Sequence, residues 1–532
     1  MTKKNRILAP VLLDGAWRPA RDSGSFNAFD PTTGLPLSDL YPVSTFEDAE
    51  EAVLAGQKAA RELELIPVEG IAAFLDRFAE QILARIDDLI EIAHLETALP
   101  KEPRLRTIEL PRTINQLHQS AEAIRDGSWR QATIETKLNI RSIRGPIGGP
   151  IVVFSPNNFP FAYNAVAGGD FAAALAAGNP VIAKGHPAHP GTTRLFAKIG
   201  MECLQESGLP PATIQMIYHL IPEDGLKLVA HPSLGATAFT GSRSSGLKLK
   251  NAADLAGKPI FLEMSSVNPV FMLPGAIEER GPAIAAELFG SCSLGAGQFC
   301  TKPGLAVVLD DKSVRAFLKS ARIYFRSLPS GYLLSRDILE SVQAAVEELK
   351  KNGAEILVGG SPISGPGFQF ENTLLLTSGE RFLQNPISLQ REVFGTVTLI
   401  VLVESDDQMI RIAEALEGSL SAGVYSKTNG EDDDFYNHLA PILRTKTGRL
   451  LNDKMPTGLA VVPATVHGGP FPASGHPGFT SVGIPASILR FTALRCYDNV
   501  RKNRLPHELR DKNPTGRMWR LLDGVWTQKD GS

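Results

Sequence analysis

Apolar and polar positions along the chain follow two periods, and their alternation predicts an α/β protein. From Pro150 onward, short continuous apolar runs typical of buried strands alternate with helical stretches. The runs are PIVVFS, NPVIAKG, TIQMIY, ATAFT and PIFLEM. We expect these strands to form a doubly wound parallel sheet, whose ligand crevice lies at the carboxyl ends of its strands.

Two amphipathic helices and a hairpin are predicted before this region. The first helix begins near Ser44, because Ser44 and Glu47 have the spacing of a capping box. The second helix runs from about Gly70 to Glu96 along one apolar stripe. Residues 128–144 alternate in side-chain character and predict an extended hairpin with little core of its own.

Both ends of the chain carry local signals. The charged start is followed by a short apolar run that Pro10 and Asp14 interrupt too early for a signal peptide, so an early strand is expected. The last thirty residues are polar, but Trp519 and Trp526 suggest that this tail docks on the rest of the protein.

Length and composition indicate a globular protein. A chain of 532 residues is long enough for two or three domains, and 43% hydrophobic with 21% charged residues is ordinary. A net charge of −3 without a dominant basic stretch argues against a nucleic-acid partner. Residues 159–183 are very apolar, but they include glycines, asparagines, Asp170 and Pro180, so a buried helix and strand are expected rather than a membrane span.

Cysteines and histidines do not form a metal-binding pattern. The four cysteines are scattered without a CxxC pair, which favours a reducing, cytoplasmic compartment and predicts no metal site. His186, His189, His467 and His476 have no ligand spacing either, and we interpret them as loop histidines near the mouth of a binding site.

The most informative motif is SLGAGQFCTKPG, residues 293–304. Cys300 follows a flexible Gly-Ala-Gly turn and precedes a predicted strand, GLAVVL. Glycines allow the backbone to approach a ligand closely, so a thiol at this place could attack an electrophile. A buried, unreactive cysteine is the alternative interpretation.

Two polar motifs also follow predicted strands. SPNNFPF, residues 155–161, places an asparagine amide where it could donate into the crevice. FLEMSSVNP, residues 261–269, places Glu263 at the end of an apolar run, where we expect burial to raise the pKa of its carboxyl and suit it to act as a base. Each motif alone is also compatible with an ordinary turn or a solvated strand end.

In chain order, the blocks NNFP, Lys184, FTGS, Glu263, GQFC and REVFG resemble the aldehyde dehydrogenase superfamily over nearly the whole sequence. The resemblance implies a variant Rossmann cofactor domain, an α/β catalytic domain and a small β oligomerisation hairpin. It divides the chain into residues 1–127 with 146–261 for the cofactor, 262–480 for catalysis, 128–145 with 481–502 for oligomerisation, and a tail, 503–532.

The same resemblance implies the catalytic residues. Cys300 corresponds to the nucleophile, which forms a thiohemiacetal and then a thioester, and Glu263 to the general base. The oxyanion donors would be the Asn158 side chain and the Cys300 backbone N–H; Asn158 is chosen over Asn157 because it directly precedes Phe-Pro. An aldehyde, with a semialdehyde such as 2,5-dioxovalerate expected, would be oxidised to its carboxylic acid.

Cofactor binding is implied in the same way. No GxGxxG motif follows a strand; Gly241 and Ser242 instead occupy a strand-to-helix turn suited to a pyrophosphate. The resemblance places the remaining contacts at five positions: Pro156, Lys184, Pro187, Glu392 and Phe394. Because Pro187 stands where a glutamate would repel a 2′-phosphate, NADP is preferred to NAD; Arg243 is interpreted as a surface residue.

Several phrases, FSPNNFPFAYN and VHGGPFPAS among them, resemble the 2,5-dioxovalerate (α-ketoglutarate semialdehyde) dehydrogenase branch. An acidic and a basic residue expected after PFPA are replaced by SGHPGFTSVG, so a longer or less charged aldehyde is an alternative.

The competing hypotheses are an NADP-dependent medium- or long-chain aldehyde dehydrogenase, a CoA-acylating enzyme, a cofactor-free thiol hydrolase and a noncatalytic scaffold. A thiol hydrolase would need an imidazole beside Cys300. A homodimer or homotetramer is expected.

Overall fold

The computed structural model describes residues 8–21 and 24–531, and it confirms the α/β fold. The charged first residues, 1–7, lie outside the described part. The described strands are β1 (Val11–Leu13), β2 (Ala16–Arg18), β3 (Ser25–Phe26), β4 (Phe29–Asp30), β5 (Leu35–Pro36), β6 (Tyr41–Pro42), β7 (Thr133–Glu135), β8 (Ile140–Pro146), β9 (Ile151–Phe154), β10 (Val181–Lys184), β11 (Ile214–Ile217), β12 (Ala236–Thr240), β13 (Ile260–Glu263), β14 (Pro269–Met272), β15 (Leu305–Leu309), β16 (Glu355–Val358), β17 (Thr373–Ser378), β18 (Val397–Val403), β19 (Ser419–Tyr425), β20 (Thr447–Asn452), β21 (Thr492–Asp498), β22 (Arg520–Leu522) and β23 (Val525–Thr527). The α-helices of the same part are α1 (Phe46–Leu63), α2 (Val68–Ala84), α3 (Ile86–Thr97), α4 (Leu110–Asp126), α5 (Gly169–Ala176), α6 (Pro190–Ser207), α7 (Pro222–Val229), α8 (Arg243–Leu255), α9 (Pro274–Ser293), α10 (Val314–Ser327), α11 (Arg336–Lys351), α12 (Gly379–Gln384), α13 (Pro386–Leu389), α14 (Asp406–Ala415) and α15 (Asp433–Lys446).

The first large sheet contains the five strands predicted from Pro150 onward. Its order is β13-β12-β9-β10-β11-β1-β2, and β9 to β13 are parallel. The chain runs from β9 outward through β10 and β11, then returns to β12 on the other side of β9. Because the strand order reverses beside β9, a crevice opens at the carboxyl ends of β9 and β12.

Burial explains why these strands read as continuous apolar runs. The residues of β11 and the first three of β9 and β10 are buried, because helices cover both faces of the sheet. One such contact joins helices α2 and α5, where the rings of Phe78 and Phe171 lie 5.9 Å apart between centroids.

Two helix boundaries differ from the sequence-based prediction. Helix α1 is capped by Thr45, whose hydroxyl accepts from the Asp48 N–H at 3.3 Å, and not by Ser44. The Ser44 hydroxyl instead accepts from the Tyr218 N–H, which ties the chain to the end of β11. The predicted helix at 70–96 is two helices, α2 and α3, because the backbone leaves the helical region at Arg85.

The second large sheet has the order β16-β17-β18-β15-β14-β19-β20, and only β16 is antiparallel to its neighbour within the described residues. One apolar cluster packs it against α9 and α10, and another packs it against α11, α14 and α15. Strand β15 is the strand predicted after Cys300, so the cysteine loop leads directly into this sheet.

The predicted hairpin consists of β7 and β8, and it forms a third sheet of order β21-β8-β7-β22-β23. Strands β22 and β23 belong to the C-terminal tail, so the tail docks by strand pairing with β7. Trp519 and Trp526 remain about half exposed, and the buried tail residues are others, Met518 and Arg520 among them.

No helix of the described residues is long and apolar enough to cross a bilayer. The apolar segment 159–183 forms a loop, the buried helix α5 and strand β10.

Arg520 organises the tail. Its side chain is fully buried and donates to four backbone carbonyls, those of Glu508, Arg510, Asp511 and Lys529, at 2.6 to 3.4 Å. Buried carbonyls left without a donor are costly, so this one side chain stabilises several turns of irregular backbone.

We expect Arg520→Met to destabilise the tail locally by about 3 kcal/mol, because several buried carbonyls lose a charged donor together. Limited proteolysis followed by mass spectrometry should show faster cleavage within residues 503–532. Arg517→Met is the matched control, since Arg517 is exposed. Equal cleavage rates in the two variants would contradict this role for Arg520.

Candidate active site

Three polar side chains singled out in the sequence lie at the ends of strands that meet at the crevice. Asn158 follows β9, Glu263 ends β13, and Cys300 lies shortly before β15. Glu263 also forms a backbone bridge with Ser474, which brings the loop after β20 over the same place. Residues between positions 158 and 474 are therefore brought to one place.

Backbone geometry holds the cysteine loop in place. Gly297 has φ +75°, and a Cβ built there would lie 2.1 Å from the carbonyl carbon of Gly395, so only glycine fits. The Gln298 side chain bonds to three backbone groups, and Asn268 donates to the Cys300 carbonyl at 2.8 Å. The loop carrying Cys300 is thus fixed against the loop that carries Glu392 and Phe394.

The thiol lies against an imidazole and a carboxylate. Cys300 Sγ is 3.4 Å from His467 Nε2, which is itself 2.8 Å from Glu263 Oε1. The Ser481 hydroxyl donates to the other oxygen of Glu263 at 2.6 Å. Glu263 and His467 are 3% and 2% exposed, whereas Cys300 is partly accessible.

The position of His467 corrects the sequence-based interpretation. His467 is on a loop, as expected, but it lies inside the cluster and not at the mouth of a binding site. Sequence spacing could not show this, because His467 is 204 positions from Glu263. The available signal was the block VHGGPFPAS, in which His467 stands.

The expected rise in the pKa of Glu263 is wrong. Burial alone raises the pKa of this carboxyl, but His467 and hydrogen bonds from His467, Ser481 and Cys300 lower it below its ordinary value. Burial and the charges of Glu263 and Glu392 raise the pKa of the Cys300 thiol well above its ordinary value. In the resting protein Glu263 is therefore a carboxylate and Cys300 a neutral thiol.

Another cysteine illustrates the unreactive alternative. Cys292 is completely buried, and its sulfur lies 3.0 Å from the Thr398 hydroxyl within the core beside β15. Cys300 differs because the residue is only partly buried and because its sulfur lies beside ionisable polar side chains.

Asn158 faces the same loop. Its amide donates to the Gln298 carbonyl at 2.8 Å, two residues before Cys300. An amide nitrogen carries two N–H groups, so the second one remains for a bound oxygen. Asn157 contributes no such contact, and it is Asn158 that is buried.

Two residues not identified from the sequence support the Asn158 loop. Arg104 donates to the Asn158 carbonyl at 3.0 Å and pairs with Glu109, which is fully buried. Glu109 in turn accepts from the N–H groups of Phe161 and Ala162 at 2.8 and 3.0 Å.

The residues assigned to the adenosine end of a cofactor lie at the ends of β9 and β10. Lys184 ends β10 beside Phe154 of β9, and burial lowers the pKa of its amine to about 8. The carbonyl of Pro156 accepts from His189 at 2.9 Å, and Pro187 lies on the loop between β10 and α6. This group fits an adenosine because the Lys184 amine at the strand end can donate to ribose hydroxyls.

Gly241 and Ser242 lie between β12 and α8, as predicted. Ser242 caps α8 and accepts from the Ser245 N–H at 3.3 Å, so the turn lies at the amino end of a helix, where the helix dipole favours an anion. A Cβ on Gly241 would come within 2.8 Å of the Phe239 ring. The turn fits a pyrophosphate.

Glu392 lies on the opposite side of this turn. Burial raises the pKa of its carboxyl to about 7, and Ser265 and Ser266 hydrogen-bond to it. The Arg243 N–H points at the Ser265 hydroxyl at 3.4 Å, so Ser265 connects the Gly241 turn with the Glu392 loop. The Gly241 turn and the Glu392 loop are thus linked through Ser265.

One sulfur, one nitrogen and one oxygen of the cluster Cys300, His467 and Glu263 lie within 4.8 Å of one another, a set that soft divalent metals also accept. The expectation of no metal at this site stays a prediction.

Comparison with known proteins agrees with this geometry. The chain matches the aldehyde dehydrogenase family over residues 17–441. It is 37% identical to alpha-ketoglutaric semialdehyde dehydrogenase 2 of Azospirillum brasilense, over 97% of this chain and 99% of that protein. It is 34% identical to the alpha-ketoglutaric semialdehyde dehydrogenase of Acinetobacter baylyi, over 96% and 97%.

Solved structures show the same fold at lower identity. Lactaldehyde dehydrogenase from Escherichia coli superposes with a TM-score of 0.79 at 20% identity, over 92% of this chain and 98% of that chain. A mutant of aldehyde dehydrogenase C from Pseudomonas syringae, solved with NAD+ and octanal, has a TM-score of 0.78 at 20% identity, over 92% and 96%. With the family matched over most of its length and two relatives above 30% identity, the chain belongs to the aldehyde dehydrogenase family and oxidises an aldehyde with a nicotinamide cofactor.

Proposed function

We propose that this enzyme oxidises a short semialdehyde, with 2,5-dioxovalerate (α-ketoglutaric semialdehyde) as the first candidate, and that Cys300 is its nucleophile. The observation that carries the proposal is the cluster of the Cys300 sulfur, His467 Nε2 and a Glu263 oxygen, which lie within 4.8 Å of one another. The names of the two relatives above 30% identity support the substrate.

Glu263 is the proposed base. Its carboxylate accepts the thiol proton, and the resulting thiolate forms a bond to the aldehyde carbon while the carbonyl π electrons move to oxygen. Once it has released that proton to solvent, the same carboxylate accepts a proton from the water that hydrolyses the thioester. Hydrogen bonds that lower the pKa of Glu263 keep it ionised and ready for the first transfer.

His467 is proposed as a positioning residue. The same nitrogen, Nε2, faces both Glu263 and Cys300. Because a carboxylate only accepts hydrogen bonds, Nε2 carries the hydrogen and cannot also take the thiol proton. His467 therefore orients Glu263 and stabilises the thiolate once it forms.

The oxyanion is stabilised by fixed donors. The free N–H of the Asn158 amide and the backbone N–H of Cys300 are proposed to bind it. Removing such a donor typically lowers turnover by about 10²–10³-fold. Arg104 and Asn268 keep these two groups in place through the carbonyls of Asn158 and Cys300.

The cofactor is proposed to bind along the crevice described above. When bound, the nicotinamide supplies the two-electron acceptor that converts the tetrahedral adduct into a thioester. Lys184, with Pro156 and Pro187, would hold the adenosine end; Gly241 and Ser242 would bind the pyrophosphate. Glu392 and Phe394 would position the nicotinamide ribose and ring.

NADP is the proposed preference over NAD. Lys184 lies near His186. Burial lowers the pKa of His186, and the charges of His189 and Lys184 lower it further. Pro187 supplies no carboxylate to repel a 2′-phosphate. Arg243 pairs with Glu417 at 2.9 Å, so it is held by another group, and Lys184 is the proposed phosphate contact.

Thiol hydrolysis without a cofactor is the second candidate, and one observation favours it. The imidazole that such a reaction needs lies 3.4 Å from Cys300. In a catalytic Cys-His pair, one imidazole nitrogen faces the thiol and a third group binds the other nitrogen. Here the same nitrogen, Nε2, faces both Cys300 and Glu263, and this arrangement argues against the second candidate. Retention of Glu263 also argues against CoA as the deacylating group.

Homo-oligomerisation in a reducing, cytoplasmic compartment is also proposed. The four cysteines are free thiols, which suits such a compartment. Strand β21 is the edge of the third sheet and exposes Leu494, so pairing between subunits at this edge is the proposed contact.

The proposed reaction predicts reduction of NADP, and more slowly of NAD, when the enzyme meets 2,5-dioxovalerate, succinic semialdehyde or hexanal. Initial rates at 340 nm should be highest with the two semialdehydes and absent in Cys300→Ala. Equal kcat/KM for all three aldehydes would contradict the semialdehyde assignment. Cofactor-free hydrolysis of p-nitrophenyl acetate that exceeds aldehyde oxidation would favour the second candidate.

The charge of Glu263 should be visible in the reactivity of Cys300. Because this charge raises the pKa of the thiol, Glu263→Gln should alkylate faster with iodoacetamide at pH 7.5, although it turns over more slowly. Peptide mass spectrometry resolves Cys300 from Cys496, whose exposed thiol is the internal control. Slower alkylation of the variant at Cys300 would show that Glu263 acts on the resting thiol in another way.

Lys184 predicts a pH dependence of cofactor affinity. Its amine is protonated below about pH 8 and loses its charge as the pH rises through that value. The KM for NADP should therefore increase between pH 7 and 9, while the KM for NAD changes less. Lys184→Met should abolish the difference, and Lys250→Met, on the surface of α8, should not. An identical pH profile for the two cofactors would contradict the phosphate contact.

A further inference from the structure

One arginine beside the active site has no counterion. Arg112 lies in the first turn of α4, and its guanidinium carbon is 5.0 Å from the ring centroid of Tyr163 and 5.3 Å from that of Phe159. Its buried Nε and Nη2 atoms and the buried Tyr163 hydroxyl have no partner at ordinary hydrogen-bond geometry, and Arg112 lies near enough to Tyr163 to lower the pKa of its hydroxyl against the larger effect of burial. In the described residues Arg112 forms no ion pair.

Neighbouring arginines differ in this respect. Arg104 stacks on the same Phe159 ring at 4.4 Å but pairs with Glu109, and Arg125 at the end of α4 pairs with Glu69. A guanidinium cannot lose its proton, and burying its donors without an acceptor is unfavourable. The fold therefore buries the charged donors of Arg112 without placing an anion beside them.

The unpaired donors lie close to the thiol. The Tyr163 ring is 6.2 Å from the ring of His467, whose Nε2 contacts Cys300. Arg112 is also near enough for its charge to lower the pKa of Cys300, against the larger effects of burial and Glu263. Arg112, Tyr163 and His467 thus form a row that ends at the reacting sulfur.

The surrounding wall limits what can bind there. An apolar cluster around Tyr163 consists of Phe159, Ala162 and Val482, with Phe299, Leu459 and Val461 packed against it. Arg449 adds positive charge near Tyr163 and Cys300, but its own donors are bonded to the carbonyls of Pro456 and Gly458. A short apolar chain that ends in an anion fits this wall.

We propose that Arg112 and the Tyr163 hydroxyl form a carboxylate-binding subsite, so that the preferred aldehyde carries a carboxylate at its far end. The planar guanidinium donates from two nitrogens to the two carboxylate oxygens, and the tyrosine hydroxyl adds a third hydrogen bond. This inference rests on the proposed reaction at Cys300. It supplies, from α4, the basic residue that the sequence lacks after PFPA.

The test compares two aldehydes of equal length, succinic semialdehyde and butanal, which differ in the far carboxylate. In Arg112→Leu, kcat/KM for succinic semialdehyde should fall about 10–100-fold, mainly through KM, as expected for lost hydrogen bonds to a charged group. Butanal should be oxidised as well as before or better. Tyr163→Phe should show a smaller loss with the same selectivity, and Arg112→Lys should recover part of it.

Arg125→Gln is the matched control on the same helix, and it should leave the ratio of the two kcat/KM values unchanged. An equal loss for both aldehydes in Arg112→Leu, or no loss for either, would overturn the subsite. If Arg112→Leu does not fold, Tyr163→Phe decides by the same ratio.

A binding measurement separates this inference from the proposed function. Glutarate should bind the wild-type enzyme in calorimetry and bind at least tenfold more weakly to Arg112→Leu or Tyr163→Phe. If the wild type oxidises neither aldehyde but binds glutarate in this manner, the proposed reaction fails and the subsite stands. If it oxidises both aldehydes equally and glutarate binds all variants alike, the subsite fails and the reaction stands.

Discussion

The contact between Glu263 and His467 is the interaction on which the site depends. Both side chains are nearly inaccessible, and each would be costly to bury alone. Together with the Ser481 hydroxyl, they form a hydrogen-bonded group that holds a carboxylate beside the cysteine loop. Without it, the effect of burial, which raises the pKa of Glu263, would be less opposed. Strand β13 and the loop after β20 are joined at this point, so the site exists only when both large sheets are assembled.

Much of the fold could be predicted from local pattern. The five strands from β9 to β13 were visible as continuous apolar runs, because strands covered on both faces have no polar side to display. The hairpin β7–β8 was predicted for the opposite reason, since an exposed strand pair alternates. Helix boundaries were harder to predict. Thr45 caps α1 in place of Ser44, because the Ser44 hydroxyl binds the N–H of Tyr218, 174 residues away. A helix cap can be predicted from the local sequence only when no distant group binds the same hydroxyl.

The site was predictable in its residue types and not in its electrostatics. Cys300, Glu263 and Asn158 could be identified because each follows or precedes a strand within a recognisable block. The direction of the Glu263 shift could not, since it is set by His467 and Ser481, more than two hundred positions away. Arg112 was missed for a similar reason: a helical arginine usually lies in solvent, and only the packing of α4 against the Asn158 loop buries it. The domain limits proposed from the sequence remain a prediction, although the tail strands β22 and β23 join the hairpin sheet.

Gly297 and Gly395 press backbone against backbone, with no side chain between them. The peptide that leads to the thiol and the peptide that follows Phe394 therefore form one mechanical unit. We therefore expect a ligand that displaces Glu392 to displace the Cys300 sulfur as well, and a ligand that displaces the sulfur to displace Glu392. Substitutions within residues 392–396 would consequently also change the alignment of the Cys300 thiol, so the two loops are expected to tolerate changes only together.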